Sequence, residues 1–167
     1  MEANIQKIQM KAFYYNINID WVSERNGILS NPELINKMEV SFPNKKTGIW
    51  TPEHLLIAAV NSCFMITFLS LAKKLGLEFL KYNCSAKGKI EKMGGKYLIT
   101  EIELGPVVTI KKTADKKKSE EILQNSLAFC LISNSLKSKV SLVKTVNIFK
   151  NNSSDNKKEN KVKWKQN

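Results

Sequence analysis

A chain of 167 residues with 43% apolar and 25% charged side chains has the size and make-up of an ordinary globular domain, which excludes wholesale disorder. Its 27 lysines and arginines against 15 acids leave a formal charge of +12, an excess that raises nucleic acid or an anionic membrane as partners. Arg25 is the sole arginine, however. Proteins that read bases or clamp phosphates favour the bidentate guanidinium fork, so the composition speaks for a solvated lysine-rich surface.

No Gly- or Pro-rich linker and no internal repeat interrupts residues 1–149, which read as one domain. Residues 150–167 hold six lysines and only Val162 and Trp164 as apolar side chains, and read as a disordered tail. Met1 to Met10 has no apolar run of the secretory kind. Three cysteines form no even-numbered disulfide framework, so a reducing, cytoplasmic compartment is expected.

In chain order, Lys11 to Val22 alternates (Phe13, Tyr15, Ile17 and Ile19 against Tyr14, Asn16, Asn18 and Asp20) and predicts a strand. Asn26-Gly27 is a turn signal, with a short strand over Gly27 to Ser30. Met38 to Phe42 alternates again, and Pro43 to Gly48 is a polar loop. Thr51-Pro52-Glu53 opens a helix: Thr51 caps it, Pro52 suits the first helical position, and Glu53 favours the positive end of the dipole. Lys73, Lys74 and Gly76 close that helix near Leu75. The 18 residues from Leu55 to Ala72 carry no charge, a length at the lower edge of a membrane span. Asn61, Ser62, Thr67 and Ser70 interrupt the run, so a central helix buried by its own protein is the better reading.

Glu78 to Lys92 predicts a strand with Leu80, Tyr82, Cys84, Ala86 and Ile90 on one face. Met93-Gly94-Gly95 turns the chain into a second long strand over Tyr97 to Lys112, in which Gly105-Pro106 marks a bulge or bend. Ala114 to Cys130 is an amphipathic helix with Ile122, Leu123, Leu127 and Cys130 on one face and Lys116 to Glu121 toward water. Val140 to Phe149 is a closing strand. The fold class is α+β, in the order β-β(-β)-α-β-β-α-β. A helix apolar on every side needs more cover than one small sheet supplies, which implies a homodimer.

Cys84 is explained by its inward position on a strand. Cys63, midway along the central helix, and Cys130, at the end of the second, are by spacing alone either packing residues or a redox pair. His54 is the only histidine and no Cys-x-x-Cys exists, so neither a zinc site nor a Ser/His/Asp triad has support. Glu53 reads as a first-turn acid. Arg25 stands in a turn after Glu24, and its solitude among lysines suggests a place where a planar donor is needed.

The stretch Trp50-Thr51-Pro52-Glu53-His54-Leu55-Leu56-Ile57-Ala58-Ala59-Val60-Asn61-Ser62-Cys63-Phe64 resembles the OsmC/Ohr family, the osmotically inducible and organic hydroperoxide resistance proteins. Ala128-Phe129-Cys130-Leu131-Ile132-Ser133-Asn134-Ser135-Leu136 is similar to that family's second-cysteine segment. Leu131 departs from it, because the family usually has proline there, and the Arg/Gly-rich N-terminal segment is missing in its usual form.

The resemblance implies an intertwined homodimer with interfacial active sites and a cofactor-free reduction of organic hydroperoxides. In it Cys63 matches the peroxidatic thiol, Cys130 the resolving thiol, and Glu53 the acid that holds an arginine, for which Arg25 is the candidate. An external dithiol, such as a lipoylated protein, would reduce the resulting disulfide. Glu53 and Cys63 lie roughly 15 Å apart along one helix, so a neighbouring subunit would have to supply the acid and arginine to each thiol. Two rival readings remain at this stage: a non-catalytic protein of the same fold with idle cysteines, and a lysine-rich nucleic-acid-binding module, which lacks an aromatic stacking motif.

Overall fold

The elements follow the order β1 (Asn18–Ser23), β2 (Asn26–Ser30), β3 (Met38–Ser41), α1 (Pro52–Lys74), β4 (Phe79–Met93), β5 (Lys96–Ile110), α2 (Lys116–Ala128), α3 (Leu131–Asn134), β6 (Lys139–Leu142) and β7 (Thr145–Ile148). This is the α+β arrangement expected, seen here in a computed structural model that describes residues 12–42 and 48–149. The predicted tail, Lys11 and all of the Pro43–Gly48 loop except Gly48 lie outside the described residues. The described residues form two compact units, divided between Leu56 and Ile57.

The first unit is an antiparallel sheet in the order β1-β2-β3, followed by the start of α1. The strand expected from Lys11 begins only at Asn18: Ala12 to Ile17 joins no ladder. Alternation there is not matched by a ladder among the described residues. The turn signal is also displaced. Asn26 and Gly27 lie within β2, paired with Ser41 and Val40, and the two-residue connection is Glu24-Arg25, with Glu24 taking the left-handed conformation at φ +45°. Gly27 is there for close packing, since a Cβ would come within 3.2 Å of the Asp20 carbonyl and the Ile19 side chain.

In the second unit β4 and β5 form a long hairpin closed by Gly94-Gly95, both at positive φ (+56° and +82°), as a tight two-residue connection requires. Tyr82, Cys84 and Ala86 face the core as expected. Leu80 and Ile90 do not, because register shifts between Phe79 and Lys81 and between Lys89 and Ile90 turn the alternation over.

Gly105-Pro106 sits in unbroken register with Ser85 and Cys84, so it makes no bulge toward β4. Its effect appears on the other edge. The single closing strand expected over Val140 to Phe149 is two, β6 along Glu101–Leu104 and β7 along Val107–Ile110, both parallel to β5. The break at Val143-Lys144 lies opposite Gly105-Pro106, where proline has no N–H to give a ladder.

The expected helix from Ala114 to Cys130 is also divided. A 3-10 turn (Thr113–Asp115) leads into α2, and Cys130 lies beyond the helix end, with the extended backbone (φ −71°, ψ 111°) that caps the start of α3. Ser119, expected to face water, is fully buried and donates its hydroxyl to the Asp115 carbonyl at 2.8 Å.

By length and composition α1 could cross a membrane. Val60, Phe64, Phe68 and Ala72, spaced by four, are buried with Ile102, Leu104, Val108 and Ile110 of β5 and Ile122 and Leu123 of α2. Phe68 stacks on Tyr82 at 4.9 Å between ring centroids. The opposite face leaves Met65, Ile66 and Leu69 exposed. The helix ends as its sequence dictates: Gly76 (φ +63°) donates to the Lys73 carbonyl, and Leu77 to that of Ala72 at 2.9 Å. The apolar Leu77 and Ala72 meet in the core beneath that cap.

Candidate active site

Cys63 occupies α1 three residues after buried Val60, on the flank of the stripe that enters the core, and remains half-buried. Its carbonyl accepts the Thr67 hydroxyl at 2.9 Å. Cys130 is fully buried, fixed by its N–H to the Leu127 carbonyl at 3.2 Å and by its carbonyl accepting from Asn134 at 3.0 Å. Both cysteines are free thiols, and Cys63 packs against the buried core cluster to which Cys130 belongs. Burial pushes the Cys130 thiol up, the Ser133 side chain and N–H work the other way, and the neighbouring Cys63 adds to the rise.

Leu131 occupies the first position of α3. That is where a proline would fit without loss, since the N–H there has no intrahelical partner. Leucine keeps the helix start without proline's rigidity. Ser133, which sequence reasoning passed over, is nine-tenths buried one turn after Cys130, and its Oγ has no hydrogen-bond partner. The sequence offered no capping-box signal for it, because cysteine at the capping position is not one of the usual cap residues.

Arg25 and Glu53 line one open cleft of about 380 Å³ in the first unit, with Ile19, Trp21, Val40 and Phe42 as apolar walls. No ion pair joins the two residues among those of the described chain. The Arg25 guanidinium instead stands over the Phe42 ring, 4.6 Å from its centroid. Hydrogen bonding from Thr51, and then from its own N–H, holds the Glu53 carboxyl below the usual carboxylate range. Its Oε2 is buried without a partner.

His54 has a local role. Thr51 caps α1, accepting the His54 N–H at 3.4 Å, while His54 Nδ1 reaches back to the Thr51 N–H at 3.4 Å and its hydroxyl at 3.1 Å. This is a reciprocal capping box with histidine in the acid's place.

Cys84 lines a different cleft, of about 350 Å³, with Asn61, Ser62, Met65 and Tyr82. Asn61 Nδ2 donates to the Cys84 carbonyl at 3.0 Å. Burial raises both the Cys84 thiol and the Tyr82 phenol.

A profile of the OsmC-like protein family matches residues 44–143. The chain is 22% identical over 139 residues to the uncharacterized protein YmaD of Bacillus subtilis, covering 80% of this chain and 93% of that one. An OsmC-like protein of unknown function from Vibrio cholerae has a similar structure, with a TM-score of 0.71 at 21% identity over 80% of this chain and 99% of that one. An organic hydroperoxide resistance protein from Elizabethkingia anophelis gives a TM-score of 0.65 at 20% identity, over 84% of this chain and 100% of that one.

Proposed function

The chain belongs to the OsmC-like protein family, and from that premise we propose that it is a thiol-dependent peroxidase that reduces organic hydroperoxides. The observation that carries this reading is that Cys63 and Cys130, far apart in the chain, share one core, with Cys63 close enough to act on the Cys130 thiol. Solved structures of the same fold that bear the name organic hydroperoxide resistance protein add support.

In this mechanism the Cys63 thiolate attacks the distal oxygen of the hydroperoxide. The O–O bond breaks, the alkoxide takes up a proton and leaves as alcohol, and Cys63 becomes a sulfenic acid. The Cys130 sulfur then displaces the hydroxyl, which leaves as water with the Cys130 proton, and a Cys63–Cys130 disulfide forms. An external dithiol, such as a lipoylated protein, reopens it through a mixed disulfide and is itself oxidised.

An unassisted thiol titrates near pH 8.5 (about), so a peroxidatic cysteine needs a cation to favour its thiolate. Arg25, which lines one cleft with Glu53, is our candidate, supplied to Cys63 by a second copy of the chain. The exposed Met65, Ile66 and Leu69 on α1 suit burial in such a homodimer. With α1 as a core helix and its cysteines free, we place the protein in the cytoplasm. The fit of Ile19, Trp21 and Phe42 is to the organic portion of a peroxide.

Stopped-flow mixing of the reduced protein with cumene hydroperoxide tests the reading. Rapid consumption that is lost in Cys63→Ser supports it. Slow consumption, or consumption undiminished in Cys63→Ser, refutes it.

A further inference from the structure

Cys130 and Ser133 occupy the capping position and the third position of α3, where two side chains face each other across the helix start. Here the residue in the capping position is a cysteine whose side chain makes no cap hydrogen bond. Both residues are buried, and the Ser133 Oγ, sealed from water, has no hydrogen-bond partner while Cys130 is a neutral thiol. An unmet hydroxyl in such a place is costly unless some state of the site uses it. The state that would use it is the Cys130 thiolate, which can accept both the Ser133 hydroxyl and the Ser133 N–H. Those are the two groups that favour the ionised form of Cys130 against its burial.

Accessibility decides when that thiolate arises. Cys63 is half-buried and Cys130 fully buried, so an external thiolate can reach only the Cys63 sulfur of a Cys63–Cys130 disulfide. Attack there forms a mixed disulfide on Cys63 and breaks the S–S bond, with the electron pair departing on the Cys130 sulfur. Taking the peroxidase reading above as its basis, we propose that Ser133 is a positioning residue for the reductive half of the cycle: its hydroxyl receives Cys130 as the leaving thiolate and directs each external thiol to Cys63. The thiolate then takes a proton from solvent and the hydroxyl returns to its unpaired state. In thiol–disulfide exchange a better stabilised leaving thiolate departs faster, so Ser133 sets the rate of recycling and leaves the peroxide step alone.

The test uses full-length Cys84→Ser protein oxidised to the Cys63–Cys130 disulfide with diamide, so that it does not depend on peroxidase activity. Its reopening by dithiothreitol is followed with and without Ser133→Ala. The expected result is reopening about tenfold slower in Ser133→Ala, the scale of one hydrogen bond to a charged group, with cumene hydroperoxide consumption by the reduced protein unchanged and with rescue by Ser133→Thr. Equal reopening rates, or equal losses in both half-reactions, would overturn the proposal.

A second measurement covers a variant that folds poorly. In Cys63→Ser/Cys84→Ser protein, which removes Cys63 as the other titratable group at the Cys130 thiol, ultraviolet thiolate absorbance is titrated with Ser133, threonine, alanine or glycine at that position. A midpoint higher for alanine and glycine than for serine and threonine supports the proposal; a midpoint indifferent to the hydroxyl overturns it. Loss of peroxide consumption with this hydroxyl dependence intact would count against the peroxidase reading alone.

Discussion

Cys63 packs against the core cluster that holds Cys130, although β4, β5 and α2 all intervene between the two in the chain. Two local devices bring them together. The Val60–Phe64–Phe68–Ala72 stripe turns α1 so that Cys63 flanks the core, and the break between α2 and α3 swings Cys130 inward on an extended residue.

Replacing Cys130 by serine leaves a peroxidatic thiol with no partner. Cys130→Ser is expected to reduce one equivalent of cumene hydroperoxide and then to over-oxidise at Cys63. Mass spectrometry of the peroxide-treated variant checks this through a sulfinic product at Cys63, which the unsubstituted protein does not accumulate.

Cys84 belongs to the β4 face and to another cleft. Cys84→Ala is therefore expected to leave hydroperoxide consumption within about twofold of the parent, with a stability loss of about 1 kcal/mol for a half-buried small side chain. Urea unfolding and stopped-flow kinetics on the same sample measure both. A collapse of activity in a folded Cys84→Ala protein would contradict the assignment.

The guanidinium assigned to thiolate stabilisation predicts that Arg25→Lys will not substitute for arginine, because a point charge lacks the planar fork. Arg25→Lys and Arg25→Ala are both expected to slow the peroxide step by about a hundredfold, on the scale of a removed electrostatic donor. Melting temperatures close to the parent's would show that the loss is one of chemistry.

Much of this fold could be read from single positions where one residue type settles the backbone. Thr51-Pro52 and Gly76 bound α1, and Gly94-Gly95 closes the long hairpin, because capping and tight-turn chemistry act over a few residues. What could not be read depended on a distant partner. The closing strand divides because Pro106 stands opposite the break, and nothing within Val140 to Phe149 records that. Alternation in Phe13 to Ile17 looks the same whether or not a neighbouring strand pairs with it. In the site, Cys63 and Cys130 stood out through a family resemblance, whereas spacing alone left packing and redox roles open. Ser133 was missed because a thiol is not among the usual helix caps.

The cap at Thr51 also predicts a pH response. The Glu53 carboxyl is held below its ordinary value by the Thr51 hydrogen bond. A carboxyl lowered in the folded state contributes stability that is present above its unfolded value and is lost as pH falls through the folded one. The stability difference between the parent and Glu53→Gln should therefore be level at neutral pH and shrink as pH drops below the ordinary carboxylate range. Denaturant unfolding at a series of pH values measures it, and a difference that widens with acid would contradict the assignment.

The central claim is met most directly by thiol counting and non-reducing peptide mapping of reduced Cys84→Ser protein treated with one equivalent of cumene hydroperoxide. The account predicts loss of both remaining thiols per chain and a single cross-linked pair of peptides, one containing Cys63 and the other Cys130. Recovery of two titratable thiols and no cross-link after the peroxide has been added would contradict it.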